Sequence, residues 1–486
     1  MATPCRTLDS SQNASDIPPV CCFDLDGTVI ETDLLYESLI LLSKQHPEQL
    51  LKVPLWLLQG RNVLKSRLAE RIELRPESLP YRQPVLDLIA KLRERGCRIV
   101  LATASHRNLG GAVAAHLGIF DEVLATDDTV NLKGRTKAAL LEEKYGSNIL
   151  YAGDSKADLH VWSGVRQAVV VGGEQLAAQV AESCEVVRRI SAKHGSWKDY
   201  QKAMRPHHWS KNVLLLLPLL LAHEHHAMAW LRSLFGVILF SLAASGIYIF
   251  NDLLDLQSDR MHPWKRRRPL ASGLIPIQHG IFMFIPLLLG PILLGWASLG
   301  GLFSLALAAY CAVSIAYTMS WKRRVLVDVF VLTGFYGFRI ITGAAINHTY
   351  LSRWFLIFAM FFFFSLAMAK RFSELLHAKE LVNGTHSGRG YRLEDSQLLS
   401  MVGVASSFCA VIIFSLYCHA PEIGRLYPHS GRLLLIAPLL LYWLLRMWLR
   451  AVRGELNEDP VALAMHDRVS YLVGFACAIC IVFSVY

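Results

Sequence analysis

The sequence predicts two parts: a front α/β domain over residues 1–195 and a rear all-α membrane domain over residues 196–486. Strand and helix patterns alternate through the front part, which is typical of a doubly wound parallel sheet. After residue 211, apolar runs long enough to cross a bilayer follow one another. A composition of 53% hydrophobic and 18% charged residues excludes a disordered chain. We therefore expect a soluble domain fused to about nine transmembrane helices.

Charge and cysteine content narrow the possible classes of function. A formal net charge of +10 would suit a protein that binds nucleic acid. The basic residues lie between the apolar runs, however, so we interpret them as cytoplasmic loops and expect no nucleic-acid partner. The ten cysteines lie mostly in apolar stretches and do not indicate a disulfide framework. The first twenty residues are polar and lack the apolar core of a signal peptide, which favours a cytoplasmic front domain.

Three apolar strands of the front domain end in polar residues, in the segments "VCCFDLDGT", "RIVLATASHR" and "NILYAGDSKAD". These polar residues are Asp24 and Asp26, then Thr103, then Asp154 with Asp158. Helical patterns lie between the strands at 83–95 and 134–145, and the second pattern includes Lys137. In a doubly wound sheet the site forms at the carboxyl ends of the strands, so we expect all these side chains to meet there.

The ordered set of D-x-D-G-T, threonine, lysine and G-D-x-x-x-D resembles the haloacid dehalogenase superfamily over residues 20–190. The resemblance implies an aspartyl-phosphate mechanism that depends on Mg²⁺, and a lysine and a metal suit carboxylate attack on a phosphate dianion. It makes Asp24 the nucleophile, Asp26 the general acid/base, Thr103 and Lys137 the phosphoryl ligands, and Asp24, Asp26, Asp154 and Asp158 the metal site.

Residues 31–82 lie between the first two strands and carry two helical patterns, "LLYESLILLSKQ" and "VLKSRLAERI". We interpret them as a small helical cap that limits access to the site. The cap does not identify the substrate. A degenerate regulatory domain is the alternative, although every motif residue is still present.

Nine apolar runs are predicted to span the membrane in the rear domain. They centre on 212–223, 230–250, 278–298, 301–319, 325–346, 353–370, 399–418, 432–449 and 468–485. Basic residues follow the even-numbered runs, which places those loops and the front domain in the cytoplasm. The basic residues concerned are Arg260, Lys265 to Arg268, Lys322 to Arg324, Lys370, Arg371, Lys379, Arg389, Arg450 and Arg453.

An acidic motif stands at the end of the second run, in "IYIFNDLLDLQSDRMHPWKRRRP". Asp252, Asp255 and Asp259 have the spacing i, i+3, i+7, which on a continuous helix puts three carboxylates on one face. Acidic residues at a membrane-helix end indicate a functional site. Carboxylates suit Mg²⁺, which is bound by a few protein oxygens together with substrate phosphates. With the basic run at 265–268, the motif predicts a site for Mg²⁺ and diphosphate.

The motif N-D-x-x-D-x-x-x-D from Asn251 to Asp259 resembles the UbiA superfamily of membrane prenyltransferases, over about residues 200–486. Many members carry a second aspartate-rich motif in a later cytoplasmic loop, and this sequence lacks it. In its place stand Lys370, Arg371 and Glu374, with Tyr391 further along the loop.

With this departure, the sequence resembles one branch of the superfamily, whose members transfer phosphoribose to decaprenyl phosphate. The segments that carry this likeness are "MRPHHWSKN", "NDLLDLQSDRMHPWKRRRP", "YTMSWKRRVLVDVFVLTGFYGFRIITGA" and "AMAKRFSEL". The resemblance implies that Mg²⁺ and diphosphate bind at Asp252, Asp255 and Asp259 beside Asn251. It implies that Lys211, Lys265, Arg268, Lys322, Lys370 and Arg371 contact phosphates. Asp328 and Arg339 are expected to pair and to face the cavity from the fifth run.

The function implied is a Mg²⁺-dependent transfer of 5-phosphoribose from phosphoribosyl diphosphate to a polyprenyl phosphate, with the front domain acting as a phosphatase. A natural setting is the inner membrane of a bacterium, in cell-envelope synthesis. Prenyl transfer to an aromatic or other acceptor is the alternative, and a membrane scaffold without catalysis is a third. Lipid chain length and oligomeric state stay open.

Overall fold

The computed structural model describes residues 17–127, 130–192, 195–380, 390–456, 460–464 and 466–485. The polar leader, Arg389 and the side chain of Lys379 lie outside the described residues. The described chain divides into two compact units. The front unit comprises the residues up to Ala203 together with Ile249–Met283, and the rear unit comprises Met204–Tyr248 and the residues from Phe284 onward.

A six-stranded parallel sheet organises the front unit, with the strand order β3-β2-β1-β4-β5-β6. The strands are β1 (Val20–Phe23), β2 (Arg98–His106), β3 (Glu122–Thr126), β4 (Ile149–Gly153), β5 (Gln167–Val171) and β6 (Glu185–Ile190). β1, β4 and β5 are almost wholly buried, which is why they read as continuous apolar runs. β1 lies between β2 and β4, so the order reverses there and opens a crevice at its carboxyl end. The doubly wound fold class is confirmed.

Helices cover the sheet and form the cap. They are α1 (Leu34–Gln45), α2 (Val53–Leu58), α3 (Arg61–Ala69), α4 (Gln83–Glu94), α5 (Arg107–Leu117), α6 (Arg135–Tyr145), α7 (Leu159–Trp162) and α8 (Glu174–Ala181). The predicted patterns at 83–95 and 134–145 correspond to α4 and α6. α1 begins after Asp33, whose carboxylate accepts a hydrogen bond from the amide of Leu35 at 2.8 Å. The cap also contains a 3₁₀ turn, Pro47–Lys52, before α2.

The front unit also includes a stretch from the middle of the chain. α9 (Trp197–Met204) follows the last strand, and the end of α11 (Ala227–Leu254), α12 (Leu256–Met261) and the start of α13 (Ile277–Ser298) join the same unit. The amide of Gly195 donates to the carbonyl of Leu274 at 2.9 Å. Residues far apart in sequence therefore build one body.

Eight helices of the described chain are long and apolar enough to cross a membrane, so the protein is a multi-pass membrane protein. They are α11, α13, α14 (Gly301–Met319), α15 (Val327–Asn347), α16 (Arg353–Glu380), α17 (Ser396–Cys418), α19 (Ile436–Val452) with the preceding turn, and α21 (Arg468–Val485). Shorter helices are α10 (Leu217–Leu221), α18 (Pro421–Leu426) and α20 (Pro460–Ala464).

The expectation of a ninth helix at 212–223 is wrong. Residues Pro206–Leu216 form 3₁₀ turns, and only Leu217–Leu221 is α-helical, since Pro218 sits at the start of that helix and His223 has a positive φ of 51°. Leu215 and Leu219 of this segment are buried against protein, which suits irregular backbone at membrane depth. A Cβ atom on Gly343 of α15 would stand 2.1 Å from the carbonyl oxygen of Leu215, so only glycine permits this approach.

Candidate active sites

Asp24 lies at the carboxyl end of β1 and is joined to Lys137 of α6. The Lys137 ammonium donates to the Asp24 carboxylate at 2.9 Å and to the Tyr151 hydroxyl at 3.0 Å, and it lies 3.7 Å from Asp158. All four groups are buried. Burial alone would lower the pKa of Lys137, but Asp24 and Asp158 raise it above its ordinary value. Lys137 is therefore held as a cation beside Asp24, at the carboxyl end of the strand.

Asp26 is fixed by two donors. One carboxylate oxygen accepts from the amide of Leu34 at 2.8 Å, and the other accepts from the hydroxyl of Ser105 at 2.6 Å. Burial raises the pKa of Asp26 to about 7, helped by the charges of Asp33 and Asp24. Thr103 is fully buried on β2, and its hydroxyl oxygen accepts from the amide of Ser105 at 3.0 Å. Ser105 was missed in the sequence, although it stands two residues after the motif threonine.

The carboxylates of Asp24, Asp154 and Asp158 could hold a metal ion, since their ligand atoms lie within 4.8 Å of one another. Oxygen ligands of this kind fit Mg²⁺. Gly27 has a positive φ of 75°, and a Cβ atom there would stand 2.0 Å from Asp154. Burial raises the pKa of Asp154 to about 8, helped by Asp24. Asp26 lies outside this group of three.

Asp158 has several protein donors of its own. Tyr151 donates to one oxygen at 2.8 Å, while the amide and hydroxyl of Ser155 donate to the other at 3.2 and 2.9 Å. Such a carboxylate has little capacity left for a metal. Asp154 is accordingly the better candidate ligand, and Asp158 holds Lys137 and Tyr151 in place.

The acidic motif lies in residues 251–273, which we call the aspartate segment. The helix is distorted at Asp255, between α11 and α12, although the amides of Asp255 and Asp259 still donate to the carbonyls of Asn251 and Asp255 at 3.0 and 2.8 Å. Of the three carboxylates that we expected on one face, those of Asp252 and Asp259 meet at one arginine. One nitrogen of Arg268 donates to Asp252 at 3.0 Å and to Asp259 at 2.6 Å. Burial raises the pKa of Asp259, and Arg268 opposes this shift. The two carboxylates lie around one cationic nitrogen. Their oxygen atoms and negative charge would also suit a divalent cation.

Asp255 turns toward the cap instead. The Lys44 ammonium of α1 lies 3.9 Å from the Asp255 carboxylate and donates to the carbonyl of Leu254 at 3.0 Å. Arg260 forms a second bridge, since it donates to the buried carboxylate of Glu37 at 2.6 Å. No sequence motif marked Lys44, Glu37 or Arg260 as partners. Of the other predicted residues, Asn251 is half-buried and Lys265 is exposed.

In the rear unit, Asp328 and Arg371 form a buried ion pair. The guanidinium of Arg371 donates to Asp328 at 2.5 Å and to Glu374 at 2.5 Å, and the hydroxyl of Tyr391 donates to Asp328 at 2.5 Å. The expected pairing of Asp328 with Arg339 is wrong. Eleven residues along one helix separate them by roughly 16 Å, whereas Arg371 lies on the neighbouring helix. Three of the residues that stand in place of the second aspartate motif, Arg371, Glu374 and Tyr391, thus form a single network with Asp328.

Arg339 occupies a separate place in the rear unit. It donates to the side chain of Asn212 at 2.9 Å and to the carbonyl of Phe335 at 2.7 Å. Its guanidinium lies 5.4 to 5.7 Å from the ring centres of Phe240, Tyr310 and Tyr336, within the range of cation–π attraction. The predicted lysines Lys211, Lys322 and Lys370 are half-buried, and Lys370 lines a small cavity with Tyr336.

Comparison with known proteins matches each part of the chain to a family. The model of the UbiA prenyltransferase family matches residues 213–466, and that of the haloacid dehalogenase-like hydrolases matches residues 21–162. The uncharacterized protein y4nM of Sinorhizobium fredii is 37% identical over 96% of this chain and 91% of its own length. Nodulation protein NoeC of Azorhizobium caulinodans is 30% identical over 59% of this chain and 93% of its own. Decaprenyl-phosphate phosphoribosyltransferase of Corynebacterium glutamicum is 30% identical over 59% of this chain and 86% of its own.

Proposed function

The chain belongs to the UbiA prenyltransferase family and carries a haloacid dehalogenase-like hydrolase domain, and from that premise we propose a two-step function. The membrane part transfers 5-phosphoribose from phosphoribosyl diphosphate to a polyprenyl phosphate. The front domain then removes the 5-phosphate from the lipid product. The observation that carries the proposal is the likeness to decaprenyl-phosphate phosphoribosyltransferase on a chain that also holds Asp24 and Lys137 in contact.

The residues that stand in place of a second aspartate motif favour transfer of a sugar phosphate over prenyl transfer. A second aspartate motif would bring acidic groups to hold a second metal. Here the corresponding residues are Arg371 and Lys370, and Arg371 is already bound to Asp328 and Glu374. We infer that this network holds the side chain of Tyr391 in place, while Lys370, Lys322 and Lys211 attract the phosphates of the two substrates.

In the proposed transfer, a phosphate oxygen of the lipid attacks C1 of the ribose. The bond from C1 to diphosphate breaks, and diphosphate leaves with the bonding electrons. When bound, Mg²⁺ would offset the negative charge of the leaving group. Asp252 and Asp259 would hold it, and Arg268, freed from those carboxylates, would bind a phosphate oxygen. Catalysis rests on positioning and on charge stabilisation.

In the proposed hydrolysis, a carboxylate oxygen of Asp24 attacks the phosphorus. The bond from phosphorus to the ribose oxygen breaks, and that oxygen takes a proton from Asp26. Water then attacks the aspartyl-phosphate and returns a proton to Asp26, which releases inorganic phosphate. Lys137 would bind the phosphoryl oxygens from its position beside Asp24. Ser105 and the amide of Leu34 hold Asp26 in place for both proton transfers.

We also infer that the front domain lies on the cytoplasmic side of a bacterial inner membrane. Support comes from the front unit itself, in which the cap contacts the aspartate segment and the basic run at 265–268 follows in the same body. Basic loops favour the cytoplasmic side. The length of residues 206–221, taken from the rise per residue of 3₁₀ and α-helices, is roughly 30 Å. This is the thickness of the hydrocarbon core of a bilayer. That length supports one crossing by this segment in addition to the eight candidate helices of the described chain.

The test uses the full chain in lipid vesicles with phosphoribosyl diphosphate and a polyprenyl phosphate. Wild-type protein should release phosphate and yield an unphosphorylated ribosyl lipid. Asp24→Asn should accumulate the 5-phosphorylated lipid while transfer continues. Asp252→Asn should abolish transfer and retain hydrolysis of p-nitrophenyl phosphate. Asp87→Asn, an exposed change on α4, serves as the matched control.

Two outcomes would contradict the proposal. If wild-type and Asp24→Asn proteins yield the same phosphorylated lipid, the front domain acts on another phosphate. If the vesicles convert a prenyl diphosphate and 4-hydroxybenzoate but not phosphoribosyl diphosphate, the transfer assignment is wrong and the prenyltransferase alternative holds.

A further inference from the structure

The cap carries an exposed apolar surface that the proposed function does not use. Seven large apolar side chains are exposed among the described residues 17–192, and five of them fall between residues 50 and 58. They are Leu50, Leu51, Leu55, Leu57 and Leu58, which we call the leucine edge. Leu51 and Leu58 are 88% and 85% exposed, more than any other large apolar residue of the described chain. Soluble proteins seldom expose such an apolar patch unless it binds a partner.

The outward direction of the leucine edge is fixed by its neighbours. Trp56, in the middle of α2, is buried in the cap core with Leu64 and Leu68. The guanidinium of Arg71 lies 5.2 Å from the ring centre of Trp56. Turning the leucines inward would require α2 to rotate and to expose this tryptophan. The edge is therefore a stable feature of the cap surface.

The position of the cap identifies the partner. α11 has 28 residues, and at 1.5 Å per residue it is roughly 42 Å long, the thickness of a bilayer with its headgroups. Its last residue, Leu254, therefore ends at headgroup level, where its carbonyl accepts from Lys44. The leucine edge begins six residues after Lys44, and a 3₁₀ turn advances only about 2 Å per residue. The edge thus lies within reach of the membrane surface at which α11 ends.

Charge around the edge agrees with this partner. Residues 50–61, which hold the edge, contain two basic residues, Lys52 and Arg61, and no acidic residue, and both basic side chains are exposed. Leucines with basic residues around them are typical of segments that lie in the interface of membranes with anionic lipids.

We propose that the leucine edge inserts into the bilayer interface beside the end of α11, with anionic lipid as its partner. The proposal needs only the membrane helices and does not depend on which phosphate the front domain hydrolyses. Insertion adds a further membrane attachment, independent of the points at which the chain passes from the front unit into the rear unit. It keeps the crevice that holds Asp24 close to the lipid surface, which favours phosphate esters carried by lipids over soluble ones.

The experiment uses the full chain in vesicles of three parts phosphatidylethanolamine to one part phosphatidylglycerol. The photoreactive residue p-benzoylphenylalanine replaces Leu51 or Leu58, or Val123 as a control, which is exposed on β3. After irradiation, mass spectrometry should find lipid adducts at positions 51 and 58 and not at 123. Adducts to a second copy of the chain, or lipid adducts no more frequent than at 123, would overturn the proposal. This readout needs no enzymatic activity, so it stays informative if the proposed function fails.

A second measurement tests the energetic contribution of the leucines. In the same vesicles, amides of residues 50–61 should exchange hydrogen at least about tenfold faster in the double variant Leu51→Gln and Leu58→Gln, because two inserted leucines lose their apolar contact. Val123→Gln should leave that exchange unchanged. Equal exchange in the double variant and the wild type would overturn the proposal.

Discussion

Replacing Glu37 with methionine should release the aspartate segment from the cap. Glu37 and Arg260 are 2% and 7% exposed, and their 2.6 Å ion pair is the buried link between α1 and α12. After the change, the Arg260 guanidinium stays buried and retains its bond to the carbonyl of Ala271 at 3.1 Å. It loses the carboxylate that balanced its charge.

The magnitude follows from the cost of leaving a buried charge without its partner. Removal of one partner from a buried ion pair lowers stability by about 3–5 kcal/mol. At 1.36 kcal/mol for each factor of ten, local opening of the segment should become roughly a hundred- to several-thousandfold more frequent. Apolar residues of similar size often replace a buried pair at little cost. The double variant Glu37→Met and Arg260→Met should therefore recover most of the loss.

Hydrogen exchange of full-length protein in vesicles measures this opening. Amides of α12 should exchange faster in Glu37→Met by the factor given above and return toward the wild-type rate in the double variant. Amides of α4, away from the pair, provide an internal control. Equal exchange in the single variant and the wild type, or a double variant no better protected than the single, would refute the reasoning that the ion pair holds the segment.

Two further substitutions test the sites. Gly27→Ala drives a methyl group into Asp154, so hydrolysis of p-nitrophenyl phosphate should fall at least about a hundredfold while lipid transfer continues. Gly146→Ala, at another positive φ but in open space, should keep full activity, and equal losses in both variants would point to backbone strain alone. Tyr391→Phe removes a hydroxyl that donates to Asp328 at 2.5 Å, so the free energy of unfolding of the rear unit should fall by about 1–3 kcal/mol. An unchanged Tm in vesicles would contradict that role.

Much of the fold could be predicted because its signals are local. Buried parallel strands read as apolar runs, and α1 coincides with the predicted pattern "LLYESLILLSKQ". The first apolar run was misjudged for an equally physical reason. Its apolar content matched a membrane span, but apolar content does not report that Leu215 must pass within contact of Gly343. That close packing favours irregular backbone over a continuous helix.

The sites were predictable only where a motif fixed the spacing. The proximity of Asp24 and Lys137 was predictable because the whole set of motifs occurs in order. Lys44 and Glu37 were not found, since nothing in a helix of the cap indicates contact with residues more than two hundred positions away. Asp328 was paired with the wrong arginine, because sequence gives positions along one helix but not which helix is its neighbour.

The cap and the aspartate segment are in contact but lie far apart in the sequence, and this has a consequence for biogenesis. Lys44 meets Leu254 across 210 residues, and Arg260 meets Glu37 across 223. Domains generally fold as units during synthesis, starting from the N-terminus. The cap is therefore complete on the ribosome while its buried carboxylate still lacks a counter-charge. That counter-charge arrives only after α11 has been threaded into the bilayer, so membrane insertion is the event that finishes the fold of the front unit.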